Sequence, residues 1–313
     1  MPKIWVKWKD PALGGNVSVW APVKRVYIWS GGSGNANVSL GRGWTVAPKK
    51  IYVNQSGINK LAYPDFTGNT AYTVPGVYYY TVPNGITSLQ FVVGGAGGGG
   101  GGNDSPGVGH PGYAGNIVTF TSNVTPGNVY LVGVGHGGGA GSGGGGAAGG
   151  TGGSTTGLFK GGVGGTSGGT GSSGSGGGGG EASYILSVAN NTAVTGSNVA
   201  VAGGGGGGGG GGHVGTVNGQ PQSALNVNPV LASTSNGAAG QNKSGDGGGG
   251  GGGGGGYLLG GDGGGLQAGD QGGYSGLNGS SLIPAGGSAN IGLNGGASVT
   301  TGGSGFVYIF PQI

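Results

Sequence analysis

Residues 199–215 read VAVAGGGGGGGGGGHVG, ten consecutive glycines directly behind an alternating, strand-like run. Glycine loses more backbone freedom on folding than any other residue, so such a run becomes ordered only where something specific offsets the cost. The run is part of a pattern. Glycine makes up 96 of 313 residues and charged residues only 6%, whereas ordinary globular chains carry about 7% Gly and disordered ones are rich in charge. Eleven glycines precede Phe91 and 85 follow it, so the C-terminal two thirds obeys its own structural rule.

Charge divides at a similar place. Residues 1–65 hold nine Lys and Arg against two Asp, and residues 66–313 hold two Lys against five Asp and Glu. The sequence pI near 9.2 therefore describes the N-terminal segment alone. Its charges are spaced along strand-like stretches and not gathered into one patch, so no nucleic-acid partner is expected. With no Cys, neither a disulfide framework nor a thiolate metal site is available. MPKIWVKWKD lacks an apolar stretch behind its basic residues, so no secretory signal is expected, and no apolar run approaches the roughly 20 residues of a membrane helix.

Three N-terminal stretches share one pattern, basic-aliphatic-aromatic-aliphatic: Lys3-Ile4-Trp5-Val6, Arg25-Val26-Tyr27-Ile28 and Lys50-Ile51-Tyr52-Val53. Each leads into a glycine turn, and the first two return through Val19-Trp20 and Gly43-Trp44. Alternating β-branched and aromatic residues between turns predict three successive β-hairpins, and core packing is the first reading of their Trp residues. APVKRVYIWSGG and APKKIYVNQSG resemble short repeats near the ends of bacteriophage tail and tail-fibre proteins. The resemblance covers about residues 1–63 and implies a virion-attachment module of residues 1–65 using Trp5, Trp20, Tyr27, Trp29, Trp44 and Tyr52.

From Thr70 onward, strand-like runs alternate with glycine tracts. Strands are predicted over 77–82, 88–93, 116–121, 128–134, 182–188, 198–202 and 305–310, with turn chemistry at Pro83-Asn84-Gly85 and Thr125-Pro126-Gly127. No stretch shows a helical period or caps. The fold class is all-β with essentially no α-helix: an N-terminal hairpin-repeat module, then over 66–313 a β-sandwich platform. Three times a strand runs straight into glycine, and each time the chain returns to a strand, so the tracts read as paired excursions from the platform.

An extended helix with three residues per turn has no internal hydrogen bonds, so many copies packed side by side must satisfy one another, and only glycine lets the backbones approach closely enough. Ten glycines at about 3.1 Å each would span roughly 31 Å. Tracts 203–212 and 247–256 are therefore placed at the centre of a polyglycine-II bundle, and tracts with scattered Ser and Thr, such as 161–180, outside it. The alternative is a disordered Gly/Ser linker. VPNGITSLQFVVGGAGGGGGG, VAVAGGGGGGGGGG and GSGFVYIFPQI resemble the glycine-rich domain of phage tail proteins and host-recognition adhesins, some of which carry such a bundle; a similar pattern occurs in the extracellular region of some receptor tyrosine kinases.

The many G-x-G-x-x-G matches carry no information in such a chain, since a dinucleotide site also needs a strand, a helix start and a downstream acid. The three His are not at ligand spacing, Glu181 is the sole Glu, and no nucleophile elbow is visible, so no enzyme, cofactor or metal is expected. Side chains reappear where the excursions are expected to end, near 103–105, 155–160, 213–246 and 274–284, and Tyr257-Leu258-Leu259 is expected to turn back at the platform. The candidate receptor-binding residues are Asn103, Asp104, Leu158, Phe159, Lys160, His213, Gln220, Pro221, Leu225, Val230, Leu231, Lys243, Tyr274, Leu277, Leu282 and Ile283. Equally, the apolar ones could cover the bundle end.

The resemblance implies a tail-fibre tip adhesin in the virion, assembled in the host cytoplasm. Its partners would be a bacterial surface receptor, an outer-membrane protein or polysaccharide, and other tail subunits, with a homotrimer allowed by analogy. A structural tail or baseplate protein and an ice-binding protein are the alternatives.

Overall fold

A computed structural model describes residues 69–169, 173–212, 236–292 and 294–312 in full, and the backbone of four strands before them. The chain divides into two compact units, Met1–Thr67 with Pro83–Ile86, and Gly68–Val82 with Thr87–Ile313. In the first, β1 (Val6–Asp10) pairs antiparallel with β2 (Gly15–Val19), and β3 (Ile51–Gln55) with β4 (Ile58–Tyr63). The hairpin predicted between them, around residues 25–44, lies outside the described residues.

The second unit is all-β, with no helix among the described residues. Its strands are β5 (Thr70–Tyr72), β6 (Gly76–Thr81), β7 (Ser88–Gly94), β8 (Asn116–Asn123), β9 (Val129–Val134), β10 (Ser183–Val188), β11 (Ser197–Ala202), β12 (Ser288–Ile291) and β13 (Phe306–Gln312). They form two antiparallel sheets, ordered β11-β10-β9-β6 and β12-β8-β7-β13-β5. The seven predicted strands of this unit are present; the short edge strands β5 and β12 were not predicted.

Period-two alternation builds the five-stranded sheet: Leu89, Phe91 and Val93 of β7 and Val307 and Ile309 of β13 are buried, while their neighbours along each strand, Gly94 at the end of β7 excepted, are not fully so. Phe91 stacks on Phe120 and meets Tyr130 of the other sheet edge-on, ring centroids 4.9 and 5.6 Å apart. In the four-stranded sheet β9 and β10 are buried almost throughout. A second apolar cluster explains this: Leu131, Tyr184, Leu186, Val188 and Val201 pack with Phe159, and Tyr257 and Leu282 lie against them.

Between the strands, the glycine-rich segments lie outside every ladder and hydrogen-bond to one another. The segment 203–211 shows the rule. The amides of Gly204, Gly207 and Gly210 donate to the carbonyls of Gly255, Gly252 and Gly249; those of Gly205, Gly208 and Gly211 donate to Ala96, Gly99 and Gly102. Those of Gly203, Gly206 and Gly209 donate to the side chains of Ser281, Asn278 and Ser275, at 3.0, 3.0 and 3.2 Å. Carbonyls follow the same three-residue cycle: Gly205, Gly208 and Gly211 accept from Gly180, Gly177 and Gly174. Successive peptide groups thus face different neighbours and every third faces the same one, so buried donors and acceptors are satisfied without a strand. At Gly207 an added Cβ would overlap the carbonyl of Gly177, which is why no other residue serves there.

Segments 203–212 and 247–256 are buried along their length. The placement of 161–180 outside needs correction. Residues 161–168 are peripheral, with Val163 exposed, but 173–181 is interior. Its serines are compatible with burial because each hydroxyl replaces a backbone partner: Ser175 Oγ donates to the Ala148 carbonyl at 2.7 Å and Ser173 Oγ to Asp246 Oδ1 at 2.8 Å.

Candidate functional site: the far end of the glycine array

The near end of the array is where segments run into strands; the far end holds the turns opposite. Among the described residues these turns lie at 103–108, 143–147, 243–247, 267–271 and 297–300. Side chains tie them together. Asn103 Oδ1 accepts from Gly109 N at 2.9 Å and from Ser298 Oγ at 2.6 Å, joining the first turn to the last. Ser167 Oγ donates to the Gly144 carbonyl and accepts from Ala147 N, both at 2.8 Å. Lys243 Nζ donates to the Gln267 carbonyl at 2.6 Å, and Asp246 Oδ1 accepts from Gly247 N as well as Ser173.

Two apolar side chains stand out from this surface, Val108 at 52% and Val299 at 48% exposure. Val299 adopts φ 54, which crowds a β-branched residue. Asn103, Ser105, Pro106 and Thr300 are exposed around them, while the Asp104 side chain is buried. Among the described residues, the other far-end turns contribute the charged side chains Lys243, Asp246 and Asp270. Among the described residues no cluster of His, Asp or Glu could hold a metal ion.

Asn103, Asp104 and Lys243 are therefore at the far end, as the sequence suggested. Leu158, Phe159 and Lys160 are not: they form a near-end turn, with the Phe159 ring buried edge-on against Tyr184 at 5.4 Å. The tract 135–153 already contains an outward and a return segment, because its turn at 143–147 is itself built of glycine, Gly144 and Gly146 taking φ 114 and 73. Tyr274 and Leu277 sit half-buried along the segment 272–281. Leu282 is at the near end, exchanging backbone bonds with Val201 at 2.9 and 3.2 Å, and Ile283 follows it. Tyr257-Leu258-Leu259 turns at the near end, as expected. His213, Gln220, Pro221, Leu225, Val230 and Leu231 lie outside the described residues, as do Trp5, Trp20, Tyr27, Trp29 and Trp44. Tyr52 falls in β3.

Val108, Val299 and the turn 267–271 escaped the sequence reading. Their signal was the short breaks SPGV, SVTT and LQAGDQ in the glycine pattern, each roughly one segment length from a near-end break. No protein-family model matches this chain, and no curated protein matches it in sequence.

Proposed function

We propose that this chain is a bacteriophage tail-fibre tip protein, an adhesin whose far-end turns bind a receptor on the bacterial surface. In this reading the glycine segments form a polyglycine-II bundle on a β-sandwich platform, and residues 1–65 are hairpin repeats that attach to other tail subunits. Binding uses shape, apolar contact and hydrogen bonds, with no covalent step.

The observation that supports it is the division of labour along the array. The glycine segments use their backbone groups on one another, whereas the far-end turns present exposed Val108, Pro106, Val299 and Asn103, side chains the array does not need for its own hydrogen bonds beyond Asn103. Apolar residues held out on a rigid support mark contact surfaces. The threefold bonding cycle supports the polyglycine-II description.

Soluble full-length chain is expected to compete with the phage that carries it for adsorption to host cells. The double substitution Val108→Asp with Val299→Asp is expected to abolish competition at an unchanged melting temperature. A wild-type chain that does not compete, or competition that survives both substitutions, contradicts the assignment.

A further inference from the structure

Segments that continue a strand inherit their lengthwise position from it: 95–102 follows β7, 135–142 follows β9, 203–212 follows β11 and 173–181 enters β10. Segments 148–154 and 161–168 join no strand. Their bonds to other backbone groups do not record position, because a shift of three residues offers each of those amides an equivalent partner; Lys160 N and Thr166 N, which donate to Asn236 Oδ1 and Asn242 Oδ1 at 3.0 and 2.9 Å, are the exceptions. The sequence adds to this degeneracy. Ala148-Gly-Gly-Thr151-Gly-Gly-Ser154 and Gly161-Gly-Val163-Gly-Gly-Thr166 repeat in threes, with glycine inward and the side chain outward, so within these residues the shift places glycine on glycine; the buried Ser167 at the far end stands outside the repeat. It would move the pair by about 9 Å and transfer three residues into or out of the far-end turn at 143–147.

We propose that the near-end turn 155–160, clasped by Glu181 and Phe159, is the near-end register stop for this strandless pair, opposite the Ser167 contacts with Gly144 and Ala147 at the far end. Glu181 is fully buried. Its Oε2 accepts from His136 N at 3.1 Å and Thr155 N at 2.8 Å; its Oε1 accepts from Thr156 N at 2.9 Å and Thr156 Oγ1 at 2.5 Å. Burying a carboxylate without such donors is costly, so the turn that supplies them is favoured in this position. A three-residue shift would bring Gly152-Gly153 or Leu158-Phe159 to the positions of Thr155 and Thr156, and neither pair offers a hydroxyl. It would also pull Phe159 from the cluster around Tyr184. Phe159 holds φ 51 to place its ring there.

The same arrangement recurs where two other segments, 248–256 and 260–266, lack a strand. Their joining turn is held by Ser280, whose carbonyl accepts from Tyr257 N at 3.0 Å and whose Oγ accepts from Leu259 N at 3.2 Å, while Tyr257 lies against the same apolar cluster. Glu181 and Phe159 are thus positioning residues for a turn at the opposite end of the array. Only that consequence for receptor contact rests on the adhesin reading.

The test uses the full-length chain and the backbone amide resonances of residues 141–168. Wild type and Thr156→Ser, which keeps the hydroxyl, are expected to give one set of resonances. Glu181→Gln with Phe159→Ala is expected to give a second, slowly exchanging set of at least a tenth of the population, confined to 143–168, with 95–102 and 203–211 unchanged. A single native set in the double variant overturns the proposal, and so does loss of protection across 148–168 without a second set. If the double variant does not fold, Phe159→Ala alone is read by the same criterion. These amide signals do not depend on whether the far end binds a receptor, so failure of one reading leaves the other standing.

Discussion

Gly207 has no room for a methyl group, and Gly265, in a peripheral segment of the same array, does: there a Cβ would meet only Tyr274 Cδ2 at 3.7 Å and Gln241 Oε1 at 4.0 Å, with φ in the ordinary range. Gly207→Ala should therefore cost about 3 kcal/mol or more through overlap with a backbone that cannot retreat. Gly265→Ala should be neutral or stabilising by up to about 1 kcal/mol, because alanine restricts the unfolded chain. Thermal melting of the two variants checks the contrast; equal melting temperatures would mean that the Gly207 segment is not packed. Glycine's abundance was plain from the sequence, but which glycines are obligatory was not. Glu181 was legible only as a lone acid before a strand, since its amide donors come from Thr155, Thr156 and His136, at sequence separations of 26, 25 and 45 residues.

At the scale of elements, the strands were the most legible part, because alternation in QFVV and VYIF reports one buried face directly, while VYLV is a short apolar run of the kind found in a strand buried on both faces. The strands β5 and β12 were missed because three or four residues give the period too little length. Segment 272–281 reads as a glycine tract with side chains inserted, yet Ser275, Asn278 and Ser281 recur every third residue, the spacing of the amides they cap. Asn278 also donates to the Ala114 carbonyl at 2.8 Å. Asn278→Ala would leave Gly206 N and that carbonyl unpaired in the interior and should cost about 1–3 kcal/mol in denaturant unfolding.

The sheets carry their own signature. Burial pushes the Tyr80 hydroxyl up to about 12, and burial also raises Tyr72, Tyr130 and Tyr184, the last with a smaller contribution from the Glu181 charge. A phenol whose pKa is raised on folding favours the folded state below its unfolded value near 10, and that stability is lost as pH rises towards 12. Unfolding free energy should therefore fall between about pH 10 and 12, and Tyr80→Phe should flatten the fall.

At the scale of the molecule, charge changes near residue 65 and glycine content near Phe91, while the compact units are Met1–Thr67 with Pro83–Ile86, and Gly68–Val82 with Thr87–Ile313. The direction of the excursions was not fully visible. A far-end turn made of glycine, such as 143–147, looks like the segments it joins, so counting glycine blocks sent Phe159 to the wrong end. The order of the glycine segments of the second unit depends on their backbone groups bonding one another in cycles of three. The most direct test is residue-resolved amide hydrogen exchange of the full chain across 203–211 and 248–256. Ordering by mutual bonding requires protection comparable to that of β7 and β8; exchange at the rate of an unstructured peptide would contradict it.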